Sequence, residues 1–267
     1  MTRVVTVAMK IKCIDLAART NDAATATISS DDDPLENTRS STLITARDNN
    51  HAIIRHYAWI MDDVLTPHFL ELVHLLRTSL PLDAKRPTVK RRFFSSAQQT
   101  QCPSLAETLQ SVLQVAIHNN FYNIDNPKKD KEEDDNPDPT PPSQVVPHSS
   151  SIHVHVLSYM RFLEYDQVGG NLDPHTDGNK VCEDTNLPST HTMLLYLTDC
   201  PRGGETVLLQ KRPSKSSPVV VVVEAVAPRT GRILLFPHAT LHEGAPTVDV
   251  PKLCLRAEVA LYQQQHP

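Results

Sequence analysis

In DPHTDG, residues 173–178, a histidine and an aspartate stand one residue apart. Alone, the stretch is either half of a metal site or a polar turn, because Asp-Pro and Asp-Gly are turn dipeptides in their own right. A metal site needs a third donor, and the carboxy-terminal part of the chain offers His191, His238, His242 and His266. His242 lies in FPHATLHEGAP, after the apolar run RILLFP and before a chain break at Gly244 to Pro246. His175, Asp177 and His242 together would form a two-histidine, one-carboxylate set, which occupies one face of an octahedral iron(II) and leaves three positions open. Neutral imidazoles and one carboxylate leave such a metal partly positive, able to take an anionic chelating cosubstrate and then dioxygen. His238 and His242, four apart, could instead pair on a helix around zinc. No glutamate follows His238, however, and the flanking strand signals oppose a helix. His153, His155 and His191 read as strand histidines facing solvent or a neighbour.

The elements that must bring these groups together are mainly β. From residue 150 on, SIHVHVLSYMRFLEY, THTMLLYLTD, ETVLLQ, VVVVVEAVAP, RILLFP and LCLRAEVALY are apolar or alternating runs separated by VGGN, PRGGE and PRTGR. That punctuation marks strands. Short strands beside DPHTDG and around 240–247 bring the number to about eight, and many short strands without intervening helices point to a sandwich, barrel or jelly roll. The run Val219 to Val223 has the length and β-branching of a buried strand. Upstream, Thr66 can cap a helix with Pro67 at its first position, and Phe69, Leu70, Leu72, Val73 and Leu76 repeat at helical spacing. A second amphipathic helix is expected over 104–119, with Ser104 and Glu107 in the capping-box pattern.

Residues 1–50 read as a mostly disordered amino-terminal extension, since 20–50 are rich in Ser, Thr, Asp and Asn without sustained apolar periodicity. Residues 51–267 read as one domain: a helical lead-in over 51–125, a solvated acidic and proline-rich insertion over 126–147, and a β core over 150–263. The net charge of -5 argues against a dedicated nucleic-acid partner, which needs a basic excess. The segment KRPTVKRRFF is a local basic exception that could contact phosphates or simply be a basic turn. Five scattered cysteines without a CxxC pair, and no Asn-x-Ser/Thr acceptor, fit free thiols in a cytoplasmic or nuclear protein that is not secreted. No run approaches the roughly 20 apolar residues of a membrane span.

The ordered set YDQVGGNLDPHTDG, STHTMLLYLTDCPRGGETVLL, VAPRTGRILLFPHATLHEGAPTV and KLCLRAEVALY resembles the prolyl-4-hydroxylase-type branch of the iron(II)- and 2-oxoglutarate-dependent dioxygenases. The resemblance covers about 155–262. Its departures are Thr198 where asparagine is commoner, and a longer loop from Gly178 to Thr190. The resemblance implies a double-stranded β-helix (jelly-roll) core with the amino-terminal helices packed on one sheet. It implies iron(II) held by His175, Asp177 and His242, with 2-oxoglutarate as cosubstrate, dioxygen, and ascorbate as an accessory reductant. It further implies hydroxylation of an unactivated C–H, with succinate and carbon dioxide as coproducts, on a peptidyl prolyl-type substrate. The same chemistry on a small molecule or methylated nucleic acid, or a non-catalytic jelly-roll recognition module, are the alternatives.

The far carboxylate of 2-oxoglutarate would need a buried cation. In KLCLRAEVALY the strand period places Leu253, Leu255, Ala257, Val259 and Leu261 on one face, and Lys252, Cys254, Arg256 and Glu258 on the other. Family spacing favours Lys252. Arg256 is preferred because its fork matches a carboxylate, and both residues are retained. Tyr165 and Tyr196 would lend hydroxyls to the cosubstrate.

Overall fold

A computed structural model describes residues 9–16, 56–82, 90–93, 103–125, 152–182, 185–213 and 218–263. The proposed insertion over 126–147, His266 and most of the amino-terminal extension lie outside these residues.

The strands form two antiparallel sheets. They are β1 (Lys10–Asp15), β2 (Tyr57–Asp62), β3 (Lys90–Phe93), β4 (Ile152–Tyr165), β5 (Leu172–His175), β6 (His191–Tyr196), β7 (Thr206–Arg212), β8 (Val219–Val226), β9 (Ile233–Pro237), β10 (Leu241–Gly244) and β11 (Lys252–Gln263). The larger sheet runs β1-β2-β9-β6-β11-β4-β3 and the smaller β5-β10-β7-β8. This is the expected jelly roll, and all eight anticipated strands are present. The two helices are α1 (Pro67–Ser79) and α2 (Pro103–Asp125).

The larger sheet is two-sided, and its strand period explains why. On β11, Leu253, Leu255, Ala257, Val259 and Leu261 join Leu105, Leu109, Leu113 and Ile117 of α2 in one buried cluster. Cys254 joins the opposite cluster between the sheets, with Leu163, Tyr196, Leu208 and Phe236. Helix α2 also closes an open edge. Among the described residues β3 pairs only with Arg161 to Glu164 of β4, and no described strand borders the amino-terminal part of β4 on that side. There Gln110 Oε1 accepts from Val156 N (3.2 Å). Gln114 takes two groups, accepting from Val154 N (2.9 Å) and donating to Ile152 O (2.7 Å). A glutamine amide carries one donor side and one acceptor side, so it replaces a missing strand. Gln114→Ala is expected to lower the melting temperature through a loss of about 1–3 kcal/mol for the two stranded backbone groups. Thermal unfolding checks this, and an unchanged transition would mean that water serves both groups equally well.

Several sequence expectations need correction. Lys10–Asp15, inside the supposed extension, is the edge strand β1, paired along its length with β2. YAWIMD, read as helical lead-in, is β2. Its Trp59 and Met61 face the helix-side cluster and its Ala58 and Ile60 the inter-sheet cluster, so no polar alternation marks it. KRRF is β3, since an edge strand tolerates lysine and arginine. β8 is not fully buried: as the edge of the smaller sheet it buries Val221, Val223 and Val226 while Val222 is exposed. Helix α1 starts as expected, with Thr66 Oγ1 accepting from Phe69 N (3.2 Å). Helix α2 starts at Pro103, which suits a first helical position, so Ser104 lies inside the helix rather than capping it.

Candidate metal centre

β5 and β10 are hydrogen-bonded neighbours, and their register sets His242 directly opposite His175. The imidazole centroids are therefore 4.3 Å apart. Asp177, just past β5, is fixed by its own N–H donating to His238 O (3.0 Å). Its carboxylate oxygens lie 3.8 Å from His175 Nε2 and 3.7 Å from His242 Nε2. Among the described residues this is the one group of three metal-donor side chains whose donor atoms all lie within 4.8 Å of one another.

Hydrogen bonding fixes what these atoms offer. His175 Nδ1 meets Asp173 O (2.7 Å) and His242 Nδ1 meets Thr240 O (3.0 Å). A carbonyl oxygen only accepts, so each Nδ1 carries the proton and each Nε2 presents a lone pair. Burial of His242 lowers its pKa and favours the neutral ring. Two imidazole lone pairs and a carboxylate thus point at one another with no proton between them. A cation at their centre removes that repulsion, and the donor set suits iron(II).

Behind Asp177 stands a buried network that the sequence reading missed. Arg256 donates to Asp177 Oδ1 (2.8 Å) and Thr192 donates to Oδ2 (2.6 Å). Thr192, its proton spent, accepts from His238 Nδ1 (3.0 Å). His238 Nε2 in turn accepts from Ser189 Oγ (2.8 Å). Burial lowers the pKa of His238, consistent with the neutral ring this chain of bonds requires. The signal for Thr192 was a polar side chain next to His191 at the head of a largely apolar strand. His238 is therefore no zinc partner of His242.

Arg256 also reaches Glu258 Oε1 (3.1 Å). One guanidinium nitrogen shared by two carboxylates cannot neutralise both. Burial and the nearby Asp177 charge push the Glu258 carboxyl up to about 7, its ordinary value being 4.5. Among the described residues Glu258 Oε2 has no hydrogen-bond partner, and it lies 3.4 Å from His238 Nε2, whose lone pair Ser189 already engages. Between these two values the folded protein holds a proton that the unfolded chain has released, so this group's contribution to stability falls as pH rises from 4.5 to 7. Glu258→Gln is expected to flatten that part of the melting-temperature profile relative to the parent. Parallel profiles for the two proteins would contradict the assignment.

A cleft of about 400 Å³ opens at the triad, lined also by Tyr165, Thr206, Phe236, Lys252 and Arg256. Lys252 is 2% exposed, and its Nζ lies 4.8 Å over the Tyr165 ring. It has no ion-pair partner among the described residues, and burial lowers its pKa. Its surroundings come from the GGET turn. Gly203 and Gly204 have φ of 69° and 73°, and a Cβ on Gly204 would stand 3.2 Å from Lys252 Cδ. Thr198, the family departure, accepts from Leu253 N (2.9 Å) and so secures the start of β11.

The anticipated cosubstrate residues therefore separate. Lys252, Arg256 and Tyr165 line the cleft, while Tyr196 is buried behind it with its hydroxyl donating to Thr206 Oγ1 (2.7 Å). Arg256 is already engaged by two carboxylates. His191 is buried against Trp59, with ring centroids 5.8 Å apart, and lies outside the cleft.

Residues 160–257 match the family model of the 2OG-Fe(II) oxygenase superfamily. That match spans most of the jelly-roll core, and iron(II) and 2-oxoglutarate are the cofactors that the family description and the converging triad support. Similar solved structures include the viral collagen prolyl hydroxylase of Paramecium bursaria Chlorella virus-1 in its 2OG complex, at 14% identity, 78% of this chain and 96% of that one, with a TM-score of 0.41. A Pseudomonas putida prolyl-4-hydroxylase aligns at 13% identity over 76% and 91%, with a TM-score of 0.45. HygX from Streptomyces hygroscopicus, with nickel, 2-oxoglutarate and hygromycin B bound, aligns at 14% identity over 76% and 82%, with a TM-score of 0.47. No curated protein matches the chain in sequence. No helix among the described residues is long and apolar enough to cross a membrane.

Proposed function

We propose that the chain is an active dioxygenase that hydroxylates an unactivated C–H on a peptidyl, prolyl-type substrate, using the triad as iron ligands and Lys252 as the anchor for 2-oxoglutarate. The observation that carries this reading is the placement of one buried, carboxylate-free cation in the same cleft as three converging metal donors. When bound, the iron, the oxoacid and dioxygen supply the oxidising power for C–H hydroxylation, with succinate and carbon dioxide released.

The protein's own part is positioning and exclusion of water. His175 and His242 present Nε2 because their Nδ1 protons are held by backbone carbonyls. Arg256 and Thr192 hold both oxygens of Asp177, which makes Arg256 a positioning residue for the triad rather than the cosubstrate anchor. Lys252, in the low dielectric at the cleft wall, offers a point charge for the far carboxylate. Tyr165 borders that charge, and Tyr196 supports the wall through Thr206. The peptidyl substrate rests on the order of motifs resembling the prolyl-4-hydroxylase-type branch. All site strands belonging to one two-sheet core supports reading 51–267, together with strand β1 at the edge of its larger sheet, as a single catalytic domain.

The test is succinate formation from 2-oxoglutarate with iron(II) and ascorbate, measured with and without a pool of proline-containing peptides. Peptide-stimulated succinate, with a mass gain of one oxygen on a peptide, is the expected result. Succinate at the protein-free rate in every condition would overturn the enzymatic reading and favour the recognition module.

A further inference from the structure

Arg161 is left over when the cleft's charges are paired. It lies on β4 directly opposite Arg256 of β11, and both line the cleft. Like charges set opposite each other across a sheet are unfavourable unless each has its own counter-charge. Arg256 has two, Asp177 at 2.8 Å and Glu258 at 3.1 Å. Arg161 has neither an ion pair nor a hydrogen bond among the described residues, and its Nε is buried without a partner; Glu258, the carboxylate that feels its charge, is bonded to Arg256 instead. Glu164, farther along the same strand, is bonded to Arg77 of α1 (3.0 Å). Asp173 and Glu243 also line the cleft, and neither is ion-paired with Arg161. A half-buried guanidinium without an ion pair of its own is costly, and a wall position lets a bound anion relieve that cost.

Lys252 is the other cation of the cleft without a carboxylate. It stands four residues from Arg256 along β11, about 13 Å of strand, and is paired in register with Tyr165. The two cations therefore sit at separate points of one strand pair, and one carboxylate cannot satisfy both. We infer that Arg161 is a second anion-binding residue of this cleft, taking by its two-pronged fork a carboxylate that Lys252 does not hold. That carboxylate comes either from the opposite end of the oxoacid or from a second molecule bound beside it. What fills the Lys252 end rests on the reading in the preceding subsection; the unpaired state of Arg161 does not.

The experiment labels the full-length, manganese(II)-loaded protein with phenylglyoxal, which attacks accessible arginines, and quantifies modification of Arg161 by peptide mass spectrometry. Three samples are compared: no added anion, saturating 2-oxoglutarate, and 2-oxoglutarate with an excess of acetate and N-acetylproline. Arg161 is expected to be labelled in the first. Loss of labelling with 2-oxoglutarate alone assigns the oxoacid as the source, and loss only in the third sample assigns a second carboxylate. Labelling that is equal in all three, or absent from the first, overturns the inference. Calorimetry of 2-oxoglutarate binding to the same preparation keeps the two readings apart: no heat there would sink the oxoacid reading, while the acetate arm would still decide Arg161.

Discussion

His242→Ala is expected to abolish both metal binding and succinate formation. Three donors converge, and removing one leaves a histidine and an aspartate whose mutual spacing was set for a third partner. Loss of a group that merely supports a metal ligand typically costs 10–100-fold in affinity, so loss of a ligand should exceed roughly a hundredfold. Titration of manganese(II) into the apoprotein by calorimetry reads this without needing turnover. Folding should survive. His242 is buried against the edge of Phe236, with ring centroids 4.6 Å apart, but its backbone pairing with β5 and β7 does not use the side chain. Circular dichroism and the melting temperature check that point. A folded variant that keeps parental manganese affinity would remove His242 from the site. The same measurement on His238→Ala separates the two histidines, because His238 acts through Thr192 on Asp177 and should fall within the smaller range.

The triad could be read from the sequence because its residues are local or strongly marked. His175 and Asp177 share one turn, and His242 follows an apolar strand whose boundaries are set by Gly231 and Pro237. The β core was legible for a similar reason, as Gly and Pro separate its strands. β2 was not, because Trp59 and Met61 are buried on one face and Ala58 and Ile60 on the other, so the strand carries no alternation to read. The choice between Lys252 and Arg256 was beyond the sequence on physical grounds. Both lie on the cleft face by the same period of two, and what separates them is the carboxylate brought up from another strand. Asp177 reaches Arg256 only because β5 lies in the second sheet, across the cleft from β11. Thr192 was hidden likewise, since its role depends on that same carboxylate.

Lys252→Met should separate binding from stability in opposite directions. If the lysine receives the far carboxylate of 2-oxoglutarate, its loss leaves a charge unpaired in a buried wall. That costs about 3 kcal/mol, roughly a hundredfold in Kd. 2-Oxobutyrate, which lacks that carboxylate, should bind parent and variant equally, and equal losses for the two oxoacids would point to a distorted cleft instead of a lost anchor. In the ligand-free protein the lysine is a desolvated charge without a carboxylate, so methionine, matching its length, should raise the melting temperature. The pH dependence carries the same logic. Burial lowers the lysine's pKa, and only the protonated form attracts a carboxylate. Parental 2-oxoglutarate affinity should therefore decline as pH rises, beginning below the range where an exposed lysine titrates, while the methionine variant's weaker affinity stays flat across that interval. A protein that keeps a destabilising cation at this position, when an apolar side chain would fold better, keeps it for what that cation binds.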